Sequence, residues 1–385
     1  MARKKRYLDT RILTVFFLVA IPFVALGSFV VVDMAKGSLQ TALGQSFEQR
    51  ATETKLLIER YVAAQIVHSR LLALDPEVRR ALTAPVKEAA NAESHDLEQR
   101  WVSGDAKLTE VVVGSSLGTR LKEIMALRPE VRLIQVIDGA GRLLASTSRS
   151  GRAFYGDQPW FKGFHDDPLR VEPFIGSVGA HVPAAFEVAH PVRDSADGHL
   201  LGVLRVATDW TGFYGILAPV RIGRTGHALL LAGDGRILVS DVNEPGAFPG
   251  FPVLQEALQG FPLNEHADKL FGAARGQRGY WTLPEARGEA TAATPARVTP
   301  ARIVGFARVD QVPDVDWIVT IEQDLKEAVA PIQGVTRYLW IHFIGAFGTV
   351  ILLALYFSFV TETPAIEEGL HLHEEHVPAG VHSEA

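Results

Sequence analysis

Two apolar stretches without Asp, Glu, Lys or Arg bracket this chain: Ile12 to Val32, ILTVFFLVAIPFVALGSFVVV, and Tyr338 to Val360, YLWIHFIGAFGTVILLALYFSFV. About 20 apolar residues span the hydrocarbon core of a bilayer as a helix. Helices buried in a soluble core rarely run so long without a charge, so each stretch is expected to cross once. The first has a rival reading as a cleaved leader, because basic residues precede it and Ala25-Leu26-Gly27 resembles a small-residue cleavage site. The apolar run continues through Phe29 to Val32, which favours an uncleaved anchor. Arg3, Lys4, Lys5, Arg6 and Arg11 place the N-terminus in the cytoplasm. Two crossings return the C-terminus there, with Tyr338 and Trp340 at the outer interface. Residues 33–337 then lie outside the cytoplasmic (inner) membrane.

The chain has 385 residues, 47% hydrophobic, and a formal net charge of -6. That length allows one or two cores of ordinary size, and the mild acidity argues against a nucleic-acid partner. There is no cysteine, which excludes disulfides, thiolate metal sites and a Cys nucleophile.

Between the spans, 33 to about 84 reads as a long helix continuing from the first one. Leu39, Leu43, Phe47, Leu57, Tyr61 and Ile66 recur near helical spacing, and Pro76 and Pro85 punctuate its end. Its apolar stripe packs on its own domain or pairs with a second copy. LTEVVVGSSLGTRLKEIMAL extends the helical region to about Leu127. Then the period changes. VRLIQVIDGAGRLLASTS, HPVRDSADGHLLGVLRVATD and GHALLLAGDGRILVSD each read as strand, Asp-Gly turn, strand, and IVGFARVDQVPDVDWIVTIEQD adds two strands around Pro313. The fold class is α+β with two lobes. EARGEATAATPARVTPAR reads as a surface loop.

In this order the segments resemble the double Cache sensor domain, the extracytoplasmic input module of many bacterial chemoreceptors and sensor kinases. GDQPWFKGF resembles its Pro-Trp-aromatic segment, VAHPVRDSADGHLLGVLRVATDW the strands before the crossover between lobes, and GRTGHALLLAGDGRILVSD the opening hairpin of the second lobe. VGFARVDQVPDVDWIVTIEQD resembles the closing strands, so the likeness covers about residues 12–360. It implies a long N-terminal helix and two PAS-like antiparallel-sheet lobes flanked by two transmembrane helices. The expected organisation is a cytoplasmic segment 1–11, transmembrane helix 12–32, helical region 33–120, membrane-distal lobe 121–211 and membrane-proximal lobe 212–325. A connecting helix 326–337, a second span 338–360 and a His/Glu-rich cytoplasmic tail 361–385 complete it.

The resemblance also implies a small-molecule ligand in the distal lobe, without a cofactor, and a dimer through the long helices. Ligand-facing candidates are Tyr155, Gln158, Trp160 and Phe161 of the aromatic segment, with Arg152, Phe174 and Arg205 beside them. Trp160 and Phe161 offer rigid apolar walls and Tyr155 a hydroxyl; a core plug is the plain alternative. Amino-acid-binding members carry an Arg two residues before the Trp, a Tyr after it and Asp on later strands. Here those positions read Gln158, Phe161, Gly176 and Ala207, so the guanidinium for a carboxylate and the acid for an ammonium are missing and a standard amino acid is not expected. Arg152, Arg170, Arg205, His181 and His190 are the nearby groups that could hold an anion instead.

No output domain follows the second span, so a signal is expected to pass to a separate protein. The tail's His371, His373, His376 and His382 suit metal ligands by type, but its composition reads as a solvated acidic tail. Gly345 and Gly348 could admit close helix approach, and His342 is placed at headgroup level. No catalytic motif is found, and His165-Asp166-Asp167 reads as a solvated loop. The alternative to a sensor is a ligand-free scaffold or assembly subunit of a membrane complex.

Overall fold

The computed structural model describes residues 10–84, 94–149, 151–164, 170–174, 185–233, 237–240, 276–287, 298–312 and 315–361. The chain divides into one unit of residues 1–39 with 329–385 and a second of 40–328. The His165–Asp167 cluster, Gly176, His181, the Asp234-Gly235 turn and the tail beyond Thr361 lie outside the described residues, as does most of the Ala/Thr/Pro loop.

In the first unit are the start of helix α1 (Thr10–Ala73) and helix α9 (Ala330–Thr361). Among the described residues one helix is long and apolar enough to cross a membrane, at Ala330–Leu353 within α9. The stretch Ile12–Val32 is helical within α1. Phe29 and Val32 share a groove of about 180 Å³ with Leu339, Trp340 and Phe343. A Cβ at Gly345 or Gly348 would meet nothing within 4 Å, so these glycines do not serve a close approach within one chain.

In the second unit α1 ends earlier than the period suggests. The helix breaks at Leu74, and Asp75 caps a new helix, α2 (Pro76–Thr83), accepting from the Glu77 amide at 2.8 Å with Pro76 in the first turn. Pro76 thus opens a helix, as its fixed φ and missing N–H allow. Helices α3 (Ser94–Ser103), α4 (Ala106–Val113) and α5 (Ser116–Ala126) follow. The run expected as one helix breaks at Gly114, where the Ser115 hydroxyl accepts from the Gly118 amide at 3.0 Å and caps α5.

The first sheet, called distal only after the lobe order expected from the sequence, comprises β1 (Val131–Asp138), β2 (Leu143–Ser146), β3 (Arg170–Phe174), β4 (Ala185–Arg193) and β5 (Leu200–Asp209), with α6 (Pro159–Gly163) between β2 and β3. After α7 (Thr211–Leu217) come β6 (His227–Ala232), β7 (Ile237–Ser240), β8 (Arg278–Leu283), a small separate pair β9 (Ala286–Arg287) and β10 (Val298–Thr299), then β11 (Arg302–Arg308) and β12 (Trp317–Asp324). The four-residue α8 (Leu325–Ala328) precedes α9. The sheet orders are β2-β1-β5-β4-β3 and β7-β6-β12-β11-β8. If β9 and β10 are set aside, the two orders are the same, and every pairing is antiparallel.

Alternation along the strands assigns each sheet face. Ile134, Val136, Leu204 and Val206 pack on Ala73, Val78, Leu82, Leu117 and Leu121 of α1, α2 and α5. The opposite face presents Ile137, Ala189 and Val203 to Leu97, Trp101, Phe161 and Phe164. In the proximal lobe Leu230, Ile303, Val319 and Ile321 pack on Phe47, Ala51, Ile58 and Val62 of α1. That core continues into the distal lobe through the rings of Phe186, Trp210, Phe213 and Trp317, whose centroids lie 5.0–6.1 Å apart. Such pairs add roughly 0.5–1.5 kcal/mol each beyond area burial. Gly305 lets β11 reach α1, because a Cβ there would overlap the backbone of Phe47 and Glu48.

A cluster of two buried charges and one exposed carboxylate sets the register of α1 on the proximal lobe. Lys55 Nζ lies 2.6 Å from Asp310 Oδ1 and 3.6 Å from Glu59 Oε1. Glu59 Oε1 accepts the Asp310 and Gln311 amides at 2.9 and 3.1 Å. The Lys55 ammonium holds the Asp310 carboxyl below the usual aspartate range. A lowered native value contributes stability above the unfolded value, about 3.9, which is lost as pH falls through the native one. The difference in Tm between wild type and Asp310→Asn, measured on the full chain in detergent, is therefore expected to be level above about pH 5 and to close in more acid solution. An unchanged difference at acid pH would remove Asp310 from this role.

Candidate functional site

The distal sheet face turned away from α1 carries a polar group in an apolar surround. Register places Gln135 of β1 opposite Arg205 of β5, and Arg205 opposite Ala189 of β4. Glu187, two residues from Ala189, therefore shares the face. Tyr155 reaches it from the loop after β2. Gln135, Tyr155 and Arg205 are 0%, 3% and 6% exposed.

The four side chains are bonded together. Arg205 Nε donates to Glu187 Oε2 at 2.6 Å, and Nη1 donates to Gln135 Oε1 at 2.8 Å and to Tyr155 Oη at 2.9 Å. The Tyr155 hydroxyl donates to Gln135 Oε1 at 3.1 Å and accepts the Arg152 amide at 3.1 Å. The guanidinium carbon lies 5.2 Å from the Tyr155 ring centroid. Burial opposes the charge on Arg205, but Glu187 and Tyr155 outweigh it and hold the group above the ordinary arginine range. Burial pushes the Tyr155 phenol up, so it serves as a neutral donor and acceptor.

Helix α3 fixes the loop that carries Tyr155. Glu98 Oε2 accepts the Ala153 and Phe154 amides at 2.9 and 3.2 Å, and Trp101 Nε1 donates to the Gly151 carbonyl at 3.2 Å. Gly151 has φ +72, and a Cβ there would press on the Tyr155 hydroxyl. In α6, Pro159 occupies the first turn. Phe161 and Phe164 point inward, 4% and 0% exposed. Trp160 is half-buried and covers Tyr155, Phe161 and Phe164 at centroid distances of 5.6–5.8 Å. The segment both plugs the lobe with its phenylalanines and roofs Tyr155 with its tryptophan.

The sequence-derived candidates divide accordingly. Tyr155 and Arg205 are brought into contact, with Trp160 on the outer side of Tyr155. Phe161 is core. Arg152 turns its guanidinium to Asp157 Oδ2 at 2.9 Å and the Phe154 carbonyl at 3.1 Å. The Gln158 amide donates to Asp157 Oδ1 at 3.1 Å, away from Arg205. Phe174 pairs with Ala185 at the end of β3; its side chain and that of Arg170 are outside the described residues. His190 lies on the opposite face, its Nδ1 buried without a hydrogen-bond partner among the described residues, and burial together with Arg70 lowers its pKa to about 4.

Gln135 and Glu187 escaped the reading of the sequence. Each is a polar residue flanked on both sides by apolar ones, in VRLIQVID and AFEVAHPVR, and inward polarity of that kind was the available signal. Glu187 stands directly opposite Ala207. Glu187 thus places a carboxylate beside position 207 on the same face, and Arg205 is the guanidinium bonded to it. The other sheet face carries a groove of about 460 Å³ lined by Leu71, Leu72, Ile124, Met125, Ile134 and Val206 among others.

Breaking a buried ion pair from one side costs about 3–5 kcal/mol, while removing both charges costs far less. Arg205→Met is expected to destabilise by that amount, and Arg205→Met with Glu187→Met to recover most of it in denaturant titration. Equal loss in single and double variants would mean the pair does not act as one.

No family model matches the chain, and no curated protein does. Among solved structures it is similar to the ligand-binding domain of the Pseudomonas aeruginosa amino acid chemoreceptor PctC in complex with GABA, at 19% identity and TM-score 0.43, covering 72% of this chain and 97% of that one. The ligand-binding domain of Pseudomonas fluorescens chemoreceptor CtaA with L-serine matches at 17% identity and TM-score 0.44, over 74% and 98% of the two chains. That of Campylobacter jejuni chemoreceptor Tlp3 with L-valine matches at 12% and 0.41, over 75% and 95%. At these identities and scores, what the chain itself binds has to come from its own residues.

Proposed function

We propose that the chain is a membrane-anchored sensor of the double Cache type, with residues 33–337 outside the inner membrane and a separate output protein as its partner. Its distal lobe takes a small polar molecule. One observation carries this reading: the buried network of Arg205, Glu187, Gln135 and Tyr155, beneath Trp160. An adjacent acid and base, each held by the other, suit a ligand that brings both a carboxylate and a donor such as an ammonium. Each protein charge then exchanges its partner for one on the ligand, without a net charge being buried. The two spans, Ile12–Val32 and the α9 stretch, anchor the ends, and the ligand acts by favouring one packing of the distal lobe.

The test is a thermal-shift screen of the full chain in detergent against amino acids, other zwitterions, organic acids, amines and purines. A ligand that binds only the native state raises Tm, by about 2.7 kcal/mol of stabilisation at a hundred times Kd. The expected result is a zwitterionic hit that Trp160→Ala weakens and Glu187→Gln abolishes. A panel without a hit, with Trp160→Ala only lowering Tm, would favour the scaffold, since Trp160, Phe161 and Phe164 then simply fill the lobe.

The dimer belongs to the same reading. Leu57, Val67 and Leu71 of α1, with Leu74 directly after it, are 48–61% exposed. With Arg60 and exposed Ala64 they follow alternate spacings of three and four residues, the seam of a two-helix coil. Because the chain has no cysteine, Val67→Cys gives a clean probe. Oxidation in membranes is expected to produce a disulfide-linked dimer, and Leu71→Glu with Leu74→Glu to suppress it. No dimer at Val67 would exclude this seam.

A further inference from the structure

The proximal sheet face turned away from α1 also carries a bonded charge group, and it ends at the junction with the exit helix. Glu322 of β12 stands directly opposite His227 of β6 and is 3% exposed. Its Oε1 lies 2.7 Å from His227 Nε2 and accepts Arg302 Nη1 at 2.8 Å. His227 Nδ1 lies 3.0 Å from the Thr225 carbonyl. A carboxylate and a carbonyl only accept hydrogen bonds, and a neutral imidazole carries a single N–H. Both contacts are hydrogen bonds only when both ring nitrogens are protonated.

Thr225 belongs to the turn 222–226, closed by the Gly226 amide donating to the Ile222 carbonyl at 2.9 Å. Its amide and hydroxyl donate to Glu327 Oε2 at 3.1 and 2.6 Å, and its hydroxyl accepts the Asp324 amide at 3.2 Å. The Arg224 amide donates to Glu327 Oε1 at 2.8 Å. Glu327 lies in α8, the helix that leads the chain into α9. The charged groups bonded around this junction include Glu322, Arg302, Asp324, Glu327 and Arg224.

We infer that His227 is a proton-operated latch: as an imidazolium it ties β12 to the turn that grips the start of the exit helix, and as a neutral ring it lets one of the two go. The sign is that of a group whose charged form is favoured by the fold. The tie is complete while both ring nitrogens carry protons and is lost as rising pH removes one of them. The signal leaving the proximal lobe thus depends on external pH, independently of any ligand in the distal lobe.

The experiment is hydrogen exchange with mass spectrometry on the full chain in detergent, from pH 5.5 to 9, with rates corrected for the intrinsic pH dependence of exchange. Protection of residues 222–228 and 323–328 is expected to fall roughly tenfold across a single titration as pH rises, the worth of one charge-assisted hydrogen bond. His227→Gln is expected to flatten the profile. Glu322→Gln, which keeps the shape and removes the charge that holds the proton, is expected to move the midpoint down. Protection that does not change with pH in the wild type would overturn the latch. So would a titration that survives in His227→Gln, or, should that variant not fold, a midpoint unmoved by Glu322→Gln.

Discussion

The seating of α1 on the proximal sheet is the contact on which the described architecture of the second unit depends. Phe47, Ala51, Ile58 and Val62 form the ridge that covers the inner face of β6, β11 and β12, and the same core runs on through Phe186 and Trp210 into the distal lobe. Apolar burial has no direction, so a helix with this ridge could slide by a turn and still bury its methyl groups. Two features prevent that. Gly305 accepts the α1 backbone at one position only, between Phe47 and Glu48. Lys55 and Glu59, one turn apart, must meet Asp310 and the amides of Asp310 and Gln311. The polar contacts supply the register that the apolar ones cannot.

The two lobes repeat one topology and vary its contents. On the face away from α1, each sheet places an arginine and a glutamate on its two neighbouring central strands, with the charges exchanged. The distal lobe has Arg205 on β5 and Glu187 on β4; the proximal lobe has Glu322 on β12 and Arg302 on β11. What joins each pair then differs. In the distal lobe it is a phenol and an amide, neutral groups able to donate and to accept. In the proximal lobe it is an imidazole, the side chain whose charge changes near neutral pH. One topology thereby carries a charge pair joined by neutral polar groups in one lobe and by a titratable ring in the other.

The hairpins were legible because Asp-Gly turns and alternating apolar residues are local signals. The β1–β2, β4–β5, β6–β7 and β11–β12 pairs are found where those signals lie. Helix ends were less legible. Pro76 looks like a terminator until Asp75 is seen to cap the next helix, and Gly114 with Ser115 divides a run whose apolar spacing continues across it. The site was half legible. Tyr155, Trp160 and Arg205 draw notice by residue type. Gln135 and Glu187 acquire meaning only through register, because residues 70 and 18 positions away from Arg205 become its neighbours only when β1, β5 and β4 are laid side by side. The sequence likewise shows an alanine at 207 as a missing acid, and only the ladder reveals that Glu187 faces it from the next strand.

Buried ion pairs are poor sources of stability, because the cost of removing two charges from water offsets most of their attraction. That weakness is what the proposed sensor would use. A pair whose net contribution is small can change partners at small net cost, while either charge left alone is strongly penalised. In the proposed sensor, Arg205 and Glu187 would therefore accept a ligand that satisfies both and resist one that satisfies a single charge. The same asymmetry governs the proximal lobe. Glu322 keeps Arg302 when His227 loses its proton, so no carboxylate is stranded. The change falls on the weaker contact between the imidazole and the Thr225 carbonyl, on the turn held by Glu327 at the start of the exit helix.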